Sequence, residues 1–437
     1  MASFKFAVWD DSDGVAASSN GRVGGPAPGP SPAPLPAPLL KRPARATLKR
    51  PSSSSPRPPS PPPSKRKATQ ASRASQVDSN ALRKLVPTTQ PRRPVTVAGR
   101  IGYASDCSGL DGGSFALRYM GVDFDHLFSS EVHPNYRRVL EATHPDIMTV
   151  FHDMTTRKPR DLHPFLGRVT CYTSGFPCQP FSSIGSQAGA ADERGSVVWH
   201  CVLTIHELLP DVFILENVKR FTERRFKKQF MDALASLRSI GGNIYNVDWR
   251  VLDSQNFGVP ARRERLYIVG MRRDRQCAPW SWPKPQSPVS LSTILDPTTP
   301  GVKQLPHTTL SSTAQRNIEL GVDVIVSKHP DVNPLDQPWV IDICNSPTYG
   351  ANVALDKFPT ITKTRARSCG YYLLQNDRLI TEDELLRAQG FKPCDVKLPT
   401  HVTMPKNIRA EMSGNAFTVT IFQALFGELL PAIGVHV

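Results

Sequence analysis

From residue 98 onward, short apolar runs alternate with amphipathic stretches, and this alternation limits the fold more than any other feature. DHLFSSEV (125–132), VTCYTSG (169–175), DVFILENV (211–218), IYNVDWRVL (244–252) and RLYIVGM (265–271) read as strands. SVVWHCVLTIHELL (196–209) and FKKQFMDALASLRSI (226–240) repeat apolar residues at helical spacing. Strands alternating with helices predict a parallel sheet covered by helices on both faces. Ligands of such sheets bind beyond the carboxyl ends of the strands.

The rhythm breaks over 273–375, which is rich in Pro, Thr and Asn and reads as a smaller inserted domain or a set of long loops. It resumes with LITEDELLRAQGF, where Thr381 and Glu384 have capping-box spacing, and the helical AFTVTIFQALFGELL follows. The expected organisation is a tail over 1–97, a first core segment over 98–272, the insertion over 273–375 and a second core segment over 376–437.

The tail differs in composition. Of the 42 prolines, 18 lie between Pro26 and Pro94. Residues 1–100 hold 17 Lys and Arg against 4 Asp and Glu, leaving 36 against 34 over residues 101–437. The basic character therefore belongs to the tail, and nucleic-acid binding by the core needs a local patch. A Pro/Ser/Ala-rich stretch cannot bury enough apolar surface to fold, so the tail is expected to be disordered. Its clusters KRPARATLKR and SKRK read as solvated basic residues, as a bipartite nuclear import signal or as a nonspecific nucleic-acid arm. The corresponding expectations are a nuclear location and an import receptor or chromatin partner for the tail. FKFAVWDD near the start is a candidate docking peptide.

The chain has eight cysteines and no CxxC pair, which argues against a zinc ribbon; no metal site is expected. No apolar run approaches the ~18 residues of a membrane span. Reduced thiols are the expected state.

Chemistry-bearing residues cluster at expected strand ends. SDCSGLDGGSFAL (105–117) offers glycines for close backbone approach to a ligand, and a helix N-terminus follows. Glu131 ends the next strand, where an acidic residue grips ribose hydroxyls, and Asp153 follows the one after. Together they suggest an adenosine-containing cofactor, although Glu131 and Asp153 also read as caps. In SGFPCQPFS a cysteine, Cys178, sits between prolines; FILENV places Glu216 and Asn217 after an apolar run; NFGVPARRERLYIVG carries Arg263 and Arg265 into another strand. A free thiol of pKa about 8.5 is only a few per cent thiolate near neutrality, and nearby arginines raise that fraction. A carboxyl in an apolar setting stays protonated and can donate a hydrogen bond. Such a set suits attack on an electron-poor ring, although a cysteine is also a common buried filler.

The ordered set GFPCQPFSSIG, DERGSVVWH, FILENVKRF, NFGVPARRERLYIVG, LLRAQGF and SGNAFTV resembles the cytosine-C5 DNA methyltransferase family, over roughly 101–272 and 376–437. The resemblance implies a Rossmann-like S-adenosylmethionine-dependent sheet with 273–375 as the target-recognition region. It implies Cys178 as nucleophile on cytosine C6, Glu216 as proton donor to N3, Asn217 as a loop holder, and Arg263 and Arg265 as orienting groups. Ser108, Gly109, Gly112, Glu131, Asp153, Pro177 and Asn415 would hold S-adenosylmethionine, and Arg194 would order the loop after the nucleophile. The target base would be flipped out of duplex DNA. Arg262, Arg365 and Arg367 read as phosphate contacts or as surface residues.

Three motifs depart from the family pattern: DCSGLDGG replaces Phe-x-Gly-x-Gly-Gly, Ala261 stands for Gln, and Met412 and Val419 stand for Gln and Pro. Two other readings stay open: a tRNA cytosine-C5 methyltransferase, disfavoured by the lack of a Cys-Phe-Thr motif, and a catalytically silent scaffold, disfavoured by the intact PCQ and ENV.

Overall fold

A computed structural model describes residues 100–177, 197–297, 307–345, 348 and 350–436. Cys178, Arg194 and the whole 1–97 tail lie outside the described residues. The chain begins with β1 (Ile101–Asp106), α1 (Gly112–Tyr119), β2 (Phe124–Ser130), α2 (Pro134–Thr143), β3 (Thr149–Phe151) and β4 (Cys171–Ser174). It continues with α3 (Val197–Leu208), β5 (Val212–Val218), α4 (Lys227–Ser239), β6 (Tyr245–Asp253) and β7 (Glu264–Arg272). These strands form one sheet in the order β3-β2-β1-β4-β5-β7-β6.

The central strands are apolar runs because both faces are covered. Along β5, Val212 and Ile214 join Phe115, Leu425 and Phe426 on one face, whereas Phe213 and Leu215 join Val202, Phe230 and Leu234 on the other. Side chains alternate between faces at period two, so each strand feeds both cores.

The expectation of a parallel sheet holds for β1 to β5 and fails for β7, which runs antiparallel to both β5 and β6. The reason lies in the connections. Helix α4 carries the chain from β5 to a parallel β6, leaving a gap between them. The segment from β6 to β7 holds no crossover helix, only the short turn Ser254–Asn256, so the chain reverses and β7 fills the gap antiparallel.

The region after β7 is more regular than its sequence suggests. It contains α5 (Ser312–Lys328), β8 (Trp339–Asp342), β9 (Asn352–Leu355), α6 (Lys363–Arg367), β10 (Tyr371–Leu373) and β11 (Arg378–Leu379). The four strands form an antiparallel sheet in the order β11-β10-β8-β9. Ala314, Ile318 and Ile325 of α5 pack on Trp339, Ile341 and Tyr372. Ser311 caps α5 by accepting from Ala314 N.

Three helices complete the chain: α7 (Glu382–Arg387), α8 (Ile408–Asn415) and α9 (Val419–Ala432). The capping box forms as expected, with Glu384 N donating to Thr381 Oγ1 at 3.2 Å and Thr381 N donating to Glu384 Oε2 at 2.8 Å. Val259 and Ala261 share a core with Phe358, Tyr371, Leu385 and Ala410, which joins the second sheet to the first. Among the described residues, no helix is long and apolar enough to cross a membrane.

Candidate active site

The strand order determines which residues can meet. The strand order reverses between β1 and β4, which run parallel and pair Asp106 with Ser174 at their ends. This switch point opens a crevice beyond the carboxyl ends. Read along the sheet from β3 to β5, the residues just past or at those ends are Asp153, Glu131, Ser108 and Gly109, Pro177, then Glu216. Five strand ends separated by long stretches of sequence become one row.

On the β1 side, the loop is stitched to β2. Ser108 N donates to Ser130 O at 2.9 Å, and Ser130 N donates to Ser108 Oγ at 3.2 Å. Gly109 has a positive φ of 57° and nothing within 4 Å of where a Cβ would sit, so the backbone is open to a ligand there. Glu131 is buried and takes bonds from two backbone amides, Gly109 N at 3.0 Å and His133 N at 2.8 Å. Burial raises its carboxyl above the usual range, while the two amides oppose that rise. A carboxyl group has about four lone-pair sites, so acceptor capacity remains for ribose hydroxyls. Asp153 caps its own turn: Oδ1 accepts from Thr155 N at 2.8 Å and from Thr155 Oγ1 at 2.7 Å.

Gly112 has a packing role. A Cβ on it would lie 3.0 Å from Phe417 Cβ, and one on Gly175 would lie 2.5 Å from Phe417 Cε1. The Phe417 ring, stacked on Phe422 with centroids 4.6 Å apart, fills the space beside both glycines. Asn415 ends α8 and is exposed, close in sequence to this packing.

The altered glycine motif also has a structural explanation. Asp111 adopts a left-handed conformation with φ 58°, caps α1 and is fully buried. Its carboxylate accepts from Tyr103 Oη, from Ser105 Oγ at 2.7 Å and from Ser129 Oγ at 3.0 Å, and lies 3.2 Å from His126 Nε2. Burial works against ionisation, but the His126 bond and the surrounding donors hold this carboxyl well below the usual range. Ala261, Met412 and Val419, the other departures, are all buried in apolar clusters.

On the β5 side, Glu216 is 9% exposed and lies opposite Tyr267 of β7. Burial raises its carboxyl above the ordinary value, and Arg265 and Arg263 pull it partly back. Arg265 Nε stands 3.2 Å from Glu216 Oε1. The register explains the pair: β7 enters antiparallel, so Arg265 faces Val218 at the end of β5. Asn217 Nδ2 donates to Phe176 O at 3.0 Å and so ties β5 to the segment leading to Cys178.

Arg263 is buried and turns elsewhere. Nη1 donates to Ile361 O at 2.8 Å and to Gly414 O at 3.1 Å, and Nη2 donates to Ala416 O at 3.2 Å. It thus clamps the second lobe and the carbonyls flanking Asn415. Of the proposed phosphate contacts, Arg262 and Arg367 are exposed, whereas Arg365 is mostly covered and pairs with Asp342.

Sequence reasoning missed three features. Phe417 is buried beside Gly112 and Gly175; its signal was an aromatic inside SGNAFTV, which looked like one more core residue. Asp106 is fully buried at the end of β1, where Arg157 grips it with bonds of 2.9 and 2.7 Å and Tyr172 donates at 2.8 Å. Glu411 accepts from Tyr136 at 2.9 Å and lies 3.3 Å from Lys363. No spacing rule pairs residues this far apart.

The sheet order, its antiparallel β7 and the row of strand-end residues define a Rossmann-like methyltransferase. Residues 104–430 match the family model for C-5 cytosine-specific DNA methylases, and the chain belongs to that family. Among curated relatives, it is 30% identical over 316 residues to the Type II methyltransferase M.NgoBI of Neisseria gonorrhoeae, covering 71% of this chain and 88% of that enzyme. It is 31% identical over 262 residues to the Type II methyltransferase M.BsuFI of Bacillus subtilis, covering 59% of this chain and 56% of that enzyme. Among solved structures, a putative DNA modification methyltransferase encoded within an Escherichia coli prophage has a TM-score of 0.55 at 17% identity, covering 76% of this chain and 99% of that one. A Spodoptera frugiperda DNMT2 variant has a TM-score of 0.51 at 17% identity, covering 75% of this chain and 99% of that one. These two likenesses concern the fold.

Proposed function

We propose that the protein transfers a methyl group from S-adenosylmethionine to C5 of a cytosine flipped out of duplex DNA. The observation that carries this reading is the buried Glu216–Arg265 pair at the end of β5, beside the Asn217 amide that holds the carbonyl of Phe176. The residues at the crevice suit the cofactor: Gly109 leaves open space for close approach, and Glu131 offers a buried acceptor. Ser108, Gly109, Glu131, Asp153, Pro177 and Asn415 would hold it. When bound, S-adenosylmethionine supplies an electrophilic methyl group.

The chain's own residues perform the rest. The Cys178 thiolate adds to C6 of cytosine, and Glu216, whose carboxyl burial raises above its ordinary value, gives its proton to N3. Addition consumes the 5,6-double bond and shifts its electron pair into an enamine across C4 and C5, so C5 is nucleophilic and takes the methyl group. A base removes the C5 proton, the Cys178–C6 bond breaks, and the thiolate and the 5,6-double bond are restored. Glu216 recovers its proton from N3. Arg265 holds the Glu216 carboxyl toward the ring, and Asn217 fixes the chain that presents Cys178. Addition at C6 requires access to the ring face, which a stacked base denies, so flipping precedes chemistry.

The test is transfer of labelled methyl from S-adenosylmethionine to duplex DNA and to tRNA, with Cys178→Ala as control. Label in DNA at C5 of cytosine, lost in the variant, supports the reading. Label in tRNA alone overturns it, and label in neither favours a scaffold role. The basic clusters at 41–50 and 65–67 support a nuclear location through an import receptor, and the same tail is the segment for a chromatin partner in epigenetic regulation. A fluorescent fusion with both clusters neutralised checks this; unchanged nuclear signal contradicts it.

A further inference from the structure

We propose that His126, His144 and Asp146 form a binding site for a first-row divalent cation, zinc by its chemistry, beneath the loop that precedes α1. This departs from the expectation that the chain has no metal site. One ring nitrogen of each histidine and one carboxylate oxygen of Asp146 lie within 4.8 Å of one another.

The hydrogen bonds fix which nitrogens are available. His144 Nε2 stands 3.1 Å from Leu110 O, which can only accept, so Nε2 carries the proton. His126 Nε2 faces the Asp111 carboxylate at 3.2 Å and Ser129 Oγ at 2.8 Å, which again calls for a donor. Both Nδ1 atoms are buried and have no hydrogen-bond partner. An imidazole that carries its single proton on Nε2 presents a bare lone pair at Nδ1. Two such lone pairs left unsatisfied inside a protein are costly. Metal-bound histidines characteristically donate the remaining N–H to a carboxylate or a backbone carbonyl, and Asp111 and Leu110 supply one of each.

The third group and the surroundings fit as well. The Asp146 side chain is 46% exposed, which gives a cation a route in. Arg118 Nη2 holds its two oxygens at 2.7 and 2.8 Å, and a carboxylate has lone pairs left for a metal. Two imidazoles and one carboxylate suit zinc with a fourth position left to water. Rings of Phe115, Phe124 and Tyr103 pack against the histidines and hold their orientation. A cation here would lock Leu110 and Asp111, and with them the entry to Gly109.

The test strips the full-length protein with chelator and titrates it with cobalt alone, then with zinc as competitor. The expected result is one equivalent of cobalt bound with a visible spectrum of tetrahedral nitrogen and oxygen ligands, displaced by zinc, with a rise in melting temperature. Asp146→Ala should weaken cobalt binding at least tenfold, and His126→Gln should abolish it. Melting of each variant in chelator shows whether it folds. No cobalt uptake at equivalence, a thiolate-to-cobalt band, or equal binding by wild type and Asp146→Ala each overturns the proposal.

Discussion

The side-chain amide of Asn217, at the end of β5, donates to the main-chain carbonyl of Phe176 at 3.0 Å, and both residues are buried. Two residues after Phe176 comes Cys178. The bond therefore couples the strand that carries Glu216 to the chain that presents the thiol. Asn217→Ala leaves that carbonyl unpaired and should cost ~1–3 kcal/mol of stability. Displacement of the thiol by even an ångström should lower kcat about a hundredfold. The KM for S-adenosylmethionine should change less. Steady-state kinetics and urea unfolding of the variant check both halves.

Glu216 joins an activity to a pH dependence. Glu216→Gln removes the transferable proton and should slow methyl transfer by ~10²–10⁴-fold. In the wild type, burial raises the carboxyl above its ordinary value, so the native state holds this proton more tightly than the unfolded chain. Stability from that proton is present below the unfolded value of about 4.3 and is lost as pH rises through the raised native value. The variant suffers no such loss. The difference in unfolding free energy should shift in favour of Glu216→Gln as pH rises, then level off. A difference that does not change with pH contradicts this account.

Arg263 should behave as a clamp. Its guanidinium serves the carbonyls of Ile361, Gly414 and Ala416, which no monovalent donor geometry can replace. Arg263→Met should destabilise by about 3 kcal/mol or more, because buried carbonyls lose their partners. Arg263→Lys should recover only part of that. Chemical denaturation of the two variants ranks them.

Two glycines should fail in different ways. Gly109→Ala meets no neighbouring atom but must adopt φ 57°, a strain of ~1–2 kcal/mol for an L residue. It should weaken cofactor binding with a modest drop in melting temperature. Gly175→Ala drives a methyl group into Phe417 at 2.5 Å and should lower the melting temperature more. Calorimetric titration with S-adenosylhomocysteine beside thermal melts separates the two effects.

Much of this was legible in the sequence because local rules act locally. The apolar run VFILENV became β5, and the Thr381–Glu384 spacing became a capping box. Glu216 and Arg265 were named as partners in chemistry from motif order, and the register of β5 on β7 brings them together. What escaped was set by tertiary context. The antiparallel β7 follows from a missing crossover, not from its own residues. Arg263 looked like a partner of Arg265, yet its guanidinium turns to carbonyls that lie about a hundred residues or more away in the chain. The packing of Phe417 beside Gly112 and Gly175 joins residues more than two hundred positions apart. Helix α5 was hidden by polar composition, although Ala314, Ile318 and Ile325 keep helical spacing.

The central claim is covalent attack on cytosine in DNA by Cys178, and trapping tests it most directly. Duplex DNA carrying 5-fluorocytosine cannot lose its C5 substituent as a proton, so the Cys178–C6 adduct persists after methyl transfer. With S-adenosylmethionine present, the wild-type chain should form a denaturation-resistant complex with this DNA, and a peptide containing Cys178 should carry the modified nucleotide. Cys178→Ala should form none. Absence of the complex with the wild type, or its formation by Cys178→Ala, would contradict the account.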